Sequence, residues 1–89
     1  MKHISTLQGV IEVHVFSNDG IELFAHPQPC DARIMRKIQT WVSEMEKPSL
    51  VTFVFEHQHA ILNVKQKEII FILCTIDANI GEIRSHLNQ

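Results

Sequence analysis

Six histidines and two cysteines carry most of the chemical potential of this 89-residue chain. Five groupings could do chemistry. His57-Gln58-His59 puts two imidazoles at alternate positions of an expected turn, where they could point the same way and share a metal. Only Glu56 adds a carboxylate nearby, and a zinc shell draws on about four ligands. A plain surface turn is the favoured reading. His14 lies two residues from Glu12, so both fall on one face of a strand. A carboxylate beside an imidazole can tune it for acid–base work. The competing reading is a polar patch on an open sheet face, and it is preferred.

His26 and Cys30 pair a thiol with an imidazole four residues away. Nothing around them resembles a cysteine-enzyme signature, and a nucleophile needs its base held in place by a third group. Asp77 and Glu82 fit a helix cap and a favourable charge in the first turn. Asn79 and Gly81 lack the glycine-rich pattern of a phosphate loop. The expectation is a protein without catalytic residues, cofactor or metal, and not an enzyme.

Composition narrows the class further. The chain is 45% hydrophobic and 20% charged, with a formal net charge of −2 and a pI near 6.3. That balance argues against general binding to nucleic acid or anionic membranes. No apolar run approaches the roughly 18 residues of a membrane span. MKHISTLQG lacks the apolar core of a signal peptide. Cys30 and Cys74 are too few and too far apart for a disulfide framework. A reducing, cytoplasmic setting is expected. One domain over residues 1–89 is expected too, because smaller units bury little core. A core of this size supplies only about 3–5 kcal/mol, so association would help.

These residues need elements to position them. Gly9–Ser17 alternates as a strand, with Ile11, Val13 and Val15 on one face and Val10, Glu12, His14 and Phe16 on the other. Asn18-Asp19-Gly20 is a hairpin turn. Ile21–Ala25 returns as a second strand, ended by Pro27 and Pro29. Asp31 caps a helix expected to run to about Lys47, where Pro48 stops it. Ile34, Met35, Ile38, Trp41, Val42 and Met45 form its apolar stripe. Trp41 suits both a core and an interface position. Leu50–Glu56, Ala60–Lys65 and Glu68–Ile76 read as three further strands. The last is apolar at nearly every position and belongs in the middle of a sheet covered on both faces. Asp77 then caps a final helix over Ala78–Leu87. The order is β-β-α-β-β-β-α, an α+β fold with one five-stranded antiparallel sheet flanked by helices.

Two stretches in this order resemble the roadblock / dynein light-chain family. GVIEVHVFSNDGIEL at 9–23 is similar to that family's glycine, apolar strand, D-G turn and second strand. DANIGEIR at 77–84 is similar to its habitual opening of the last helix. The likeness in element order covers nearly all of residues 9–87. It implies a profilin-like, roadblock-like domain that acts as a non-catalytic scaffold or adaptor. It also implies homodimers, built by pairing the strand after the middle helix with its mate and setting the two middle helices side by side. Typical members begin with a long helix; here a short segment, residues 1–8, stands in that place. On this reading Val10, Phe16, Ile70 and Ile72, or their opposite-face neighbours, are partly bare.

The residues add an argument of their own for association. Leu50–Phe55 has one threonine among apolar residues and is the first strand of a meander, hence a sheet edge. A free apolar edge without Pro, Lys or a bulge invites pairing with a second copy. Trp41, Leu50, Thr52 and Val54 are therefore expected at a dimer interface. Arg33, Arg36, Lys37 and Thr40 are expected to meet a partner, which the resemblance suggests is a Ras-like small GTPase regulated in trans. The alternative is a structural subunit of a larger motor or signalling assembly without a GTPase, which would use the bare sheet face as a helix-binding groove.

Overall fold

The structure is a computed structural model and describes residues 3–87. Met1, Lys2, Asn88 and Gln89 of the expected 1–89 domain lie outside the described residues. A 3-10 turn at Ile4–Thr6 is followed by β1 (Val10–Ser17), β2 (Glu22–His26), α1 (Ala32–Ser43), β3 (Ser49–Val54), β4 (Gln58–Val64), β5 (Glu68–Thr75) and α2 (Ile80–Leu87). The strands form one sheet in the order β2-β1-β5-β4-β3, with every neighbouring pair antiparallel. The fold class and element order are those the sequence implies. No helix among the described residues is long and apolar enough to cross a membrane.

β5 is the middle strand and feeds two cores. Ile70, Ile72 and Cys74 face one side and pack with Ile4, Val13, Val15, Ile61, Ile83 and Leu87. Ile69 and Phe71 face the other, with Phe16, Ile38, Ala60, Leu62 and Val64. α2 and the 3-10 turn cover the first face, and α1 covers the second. Each fully buried Ile, Leu or Val contributes about 1.5–3 kcal/mol over its exposed state.

The bareness expected of the sheet is corrected here. Phe16, Ile70 and Ile72 are buried, and Val10 is half-buried against the first core. Ile4 is wholly buried, and Leu7 packs beside it. A single turn thus places two aliphatic side chains on the face that was expected to be partly bare.

Two irregularities in β1 pairing correct the simple alternation. Val10 pairs with Cys74 while Glu12 pairs with Leu73, so Ile11 is skipped. This bulge moves Val10 to the face of Val13 and Val15 and leaves Ile11 partly exposed. On the other side of β1, Val15 pairs with Phe24 while Phe16 pairs with Glu22, so Leu23 is skipped. That second bulge turns Glu22 to the α1 face, which Phe24 does not share. Period-two reading assumes an unbroken ladder, and each extra residue reverses it.

The helix ends also shift. Asp31 caps α1 as expected, its carboxylate accepting the Arg33 N–H at 2.7 Å. The helix closes at Ser43, short of Lys47. Glu44 and Met45 donate to Trp41 and Val42 at 3.1 Å, the three-residue spacing of a tightened last turn. The Ser43 hydroxyl donates to the Thr40 carbonyl and competes for it. At α2 the cap is Asn79, not Asp77. Asn79 Oδ1 accepts the Glu82 N–H at 3.0 Å, and Asp77 instead accepts the Thr75 hydroxyl at 2.7 Å.

Gly9 adopts φ +88°, the left-handed region. A Cβ there would sit 2.6 Å from Ala78 Cβ. The start of β1 is thereby pressed against the turn that leads into α2. Its carbonyl accepts the Thr75 N–H at 2.8 Å.

Candidate interaction surface

β3 hydrogen-bonds to β4 alone and forms one edge of the sheet. Phe55 N–H donates to the Gln58 carbonyl at 2.8 Å, which fixes the alternation of the ladder. Ser49, Val51 and Phe53 therefore direct their backbone groups to β4, and Leu50, Thr52 and Val54 direct theirs outward. The register runs from Ser49↔Val64 to Val54↔His59 without a break. This row of outward donors and acceptors is a template for a further strand.

The expected interface residues divide between the two sides of that edge. Leu50 packs against the α2-face core, and Thr52 Oγ1 accepts from Arg84 Nη1 of α2 at 3.1 Å. Val54, in step with them, is 74% exposed. Trp41 lies on the opposite side, against the α1-face core. It stacks on Phe53 with ring centroids 4.5 Å apart, and Phe53 neighbours Phe55 at 6.3 Å. The structure thus brings Trp41 together with Phe53 and Phe55 and joins it to Leu50, Thr52 and Val54 only through the strand. Phe53 and Phe55 were missed. Their signal was present, because the alternation of LVTFVFE separates Leu50, Thr52 and Val54 from Val51, Phe53 and Phe55.

The α1 surface is more coherent. Arg33, Arg36, Lys37, Thr40 and Trp41 line one open depression. Among the described residues no carboxylate pairs with Arg33, Arg36 or Lys37. Thr40 spends its hydroxyl on the Arg36 carbonyl at 3.0 Å and so presents mainly its methyl and an acceptor. Lys37 and Trp41 also border an apolar slot of about 210 Å³ with Ile34, Phe55, Phe71 and Leu73. A basic row beside an apolar slot suits a partner that offers acidic side chains flanking an apolar one.

The other groupings rearrange. His57 is exposed in the β3–β4 turn near Glu56, whereas His59 stands within β4 opposite Val54. The two imidazoles are not a matched pair at a hairpin tip. His59 Nδ1 is buried and has no hydrogen-bond partner among the described residues. His26 pairs with Val13 in the β1–β2 ladder, and Cys30 is drawn to Glu22 instead.

The largest departure is His14. It is wholly buried and stacks beside Phe16 and Phe71 under α1, so it is no exposed patch. Nε2 lies 2.9 Å from Glu12 Oε1 and Nδ1 lies 3.0 Å from Glu22 Oε2. The Cys30 backbone N–H donates to both Glu22 oxygens at 3.2 Å. The Cys30 thiol is pushed up from 9.0 to about 11 by burial and by the carboxylates of Glu22, Glu12 and Asp31. Glu12 was legible from spacing. Glu22 was hidden because only the bulge at Leu23 turns it inward.

No protein-family model matches the chain, and no curated protein sequence matches it. Among solved structures the fold is similar to that of MglC from Myxococcus xanthus, with a TM-score of 0.68 at 14% identity over 98% of this chain and 85% of that one. At that identity the likeness establishes a roadblock-like fold and nothing finer.

Proposed function

We propose that this chain is a non-catalytic scaffold that pairs with a second copy through β3 and α1 and presents the basic row of α1 to a protein partner. The observation that carries it is the unbroken outer edge of β3, apolar and unprotected, lying beside the Trp41–Phe53–Phe55 stack. Pairing two such edges would continue the sheet across a two-fold axis and bring the two α1 helices together. Arg33, Arg36, Lys37 and Thr40 would then stand on a surface shared by both copies. A Ras-like small GTPase is the proposed partner class, in keeping with the roadblock-like fold and a docking surface that carries unpaired cations. Regulation would act through shape and positioning, with no catalytic group from this chain.

The test has two arms. Light scattering at micromolar concentration should give twice the chain mass; a monomer there overturns the pairing. Affinity purification from the native cell, with and without a non-hydrolysable GTP analogue, should recover a small GTPase in a nucleotide-dependent manner. Recovery of a large assembly that ignores the nucleotide favours the structural-subunit reading. An Arg36→Glu/Lys37→Glu variant should remain dimeric and lose the partner.

A further inference from the structure

We propose that His14 Nδ1, the Glu22 carboxylate and the Cys30 sulfur form a binding site for a zinc-type divalent cation, with Glu12 holding the imidazole from its far side. The three ligand atoms lie within 4.8 Å of one another. They come from β1, β2 and the loop before α1, so the fold rather than local sequence assembles them. A tetrahedral zinc shell with bonds of about 2.0–2.3 Å spaces its ligands roughly 3.3–3.8 Å apart. His14 Nδ1 and Glu22 Oε2, at 3.0 Å, are already near that spacing, and the 4.8 Å bound leaves at most about 1.5 Å for the remaining pairs to close.

The hydrogen-bond arithmetic of His14 points to a cation. Both ring nitrogens face carboxylate oxygens, at 2.9 and 3.0 Å. Ionised carboxylates only accept, and a neutral imidazole has one N–H to give. With Nε2–H donated to Glu12, the Nδ1 lone pair is left pointing at Glu22. A second proton on the ring relieves that conflict, and so does a metal at Nδ1. The metal-bound form reproduces the carboxylate–histidine–metal arrangement, in which the outer carboxylate fixes the tautomer and raises ligand basicity.

The surrounding charge favours the same occupant. Glu22, Glu12 and Asp31 surround the site, and among the described residues no lysine or arginine pairs with any of the three. Carboxylates without a basic partner attract a cation, and a bound cation holds a coordinating thiol as the thiolate. Binding displaces the Cys30 thiol proton, and also the Nδ1 proton when the ring carries one, so affinity falls in acid. One nitrogen, one sulfur and one carboxylate select zinc over magnesium or calcium, which prefer all-oxygen shells. The fourth position is left for water.

The metal-stripped full chain, titrated with cobalt(II) as an optical probe, tests the site. One cobalt per chain should give a sulfur-to-cobalt charge-transfer band that zinc then displaces. The band should vanish in Cys30→Ser, weaken about 10–100-fold in apparent affinity in Glu12→Gln, and be unchanged in His57→Asn. Zinc should raise the thermal midpoint of the wild type and not that of Cys30→Ser, whose metal-free midpoint serves as the folding control. If Cys30→Ser does not fold, Glu22→Gln takes its place with the same expected loss. A wild-type chain with no sulfur-to-cobalt band, or a band that survives removal of the Cys30 sulfur, overturns the proposal, as does a midpoint that zinc leaves unmoved.

Discussion

The two edges of the sheet show opposite treatments of the same hazard. β2 is five residues long, carries a bulge at Leu23, offers Glu22 inward and runs into Pro27 and Pro29. β3 is six residues long and regular, with no proline or lysine between Ser49 and Val54. Exposed apolar surface does not distinguish them, since Leu23 is 59% exposed on one edge and Phe55 43% exposed just past the other. The backbone does. A bulged, proline-ended strand cannot be extended in register, and a regular one can. An exposed apolar side chain therefore marks an interface only where the backbone beside it is also free to pair.

The largest effect should come from breaking that contrast at β3. Val54→Pro removes an outward-facing N–H and leaves the β3–β4 ladder intact. Each lost hydrogen bond is worth about 0.5–1.5 kcal/mol and the proposed two-fold dimer would lose it twice, so association should weaken roughly ten- to a hundredfold. Sedimentation across a dilution series would read this, with Leu23→Lys on the β2 edge leaving the dimer unchanged. A Leu23→Lys variant that dissociates would reverse the assignment of the edges.

The next effect probes the guarded side. With its thiol pushed from 9.0 to about 11, Cys30 should react with iodoacetamide at pH 8 roughly a hundredfold more slowly than a free cysteine. Glu22→Gln should speed it, because one opposing carboxylate is gone. Cys74 is raised to about 11 as well, by burial alone. Both thiols ionise near 9.0 in the unfolded chain and only near 11 in the folded one. The unfolded state then binds fewer protons between these values. Stability is full below about pH 9 and falls as pH rises toward 11, which urea midpoints across that range would measure.

Two smaller effects separate the edges by their internal ties. Glu22→Ala leaves the partly buried Cys30 N–H without its carboxylate acceptor, and should cost about 1–3 kcal/mol in urea unfolding. Thr52→Val removes only the partly buried bond from Arg84. It should cost about 0.5–1 kcal/mol, and double-mutant analysis with Arg84→Met should return that value as the coupling.

The sequence made the frame legible because its signals are strong and local. Ile69 through Cys74 can only be a central strand, and Asp31 with Pro48 brackets one helix. The edge position of β3 followed from its place at the head of a meander. What stayed hidden depends on pairing between distant segments. Ile11 and Leu23 carry no glycine or proline to announce a bulge, yet their displacement decides where Val10 and Glu22 point. Glu22 thus seemed an ordinary strand carboxylate until Phe16 took it as a partner. Asp77 and Asn79 are equally good caps by type, and the Thr75 hydroxyl decides between them by occupying Asp77. The basic row of α1 was readable because helix periodicity alone gathers Arg33, Arg36, Lys37 and Thr40. The Trp41–Phe53–Phe55 stack was not, because it spans two elements.

The contact that presses Gly9 against Ala78 has a consequence for modularity. It fastens the first strand to the threshold of the last helix, and beyond it the rings of His3 and His86 meet with centroids 5.6 Å apart. His3 and His86, near the two limits of the described residues, therefore lie side by side on the face covered by α2. A unit with adjoining entry and exit can be spliced into a longer polypeptide, or fused at either end, without prising the sheet open. A segment joined near His3 or His86 would lie across the sheet from α1 and its basic row.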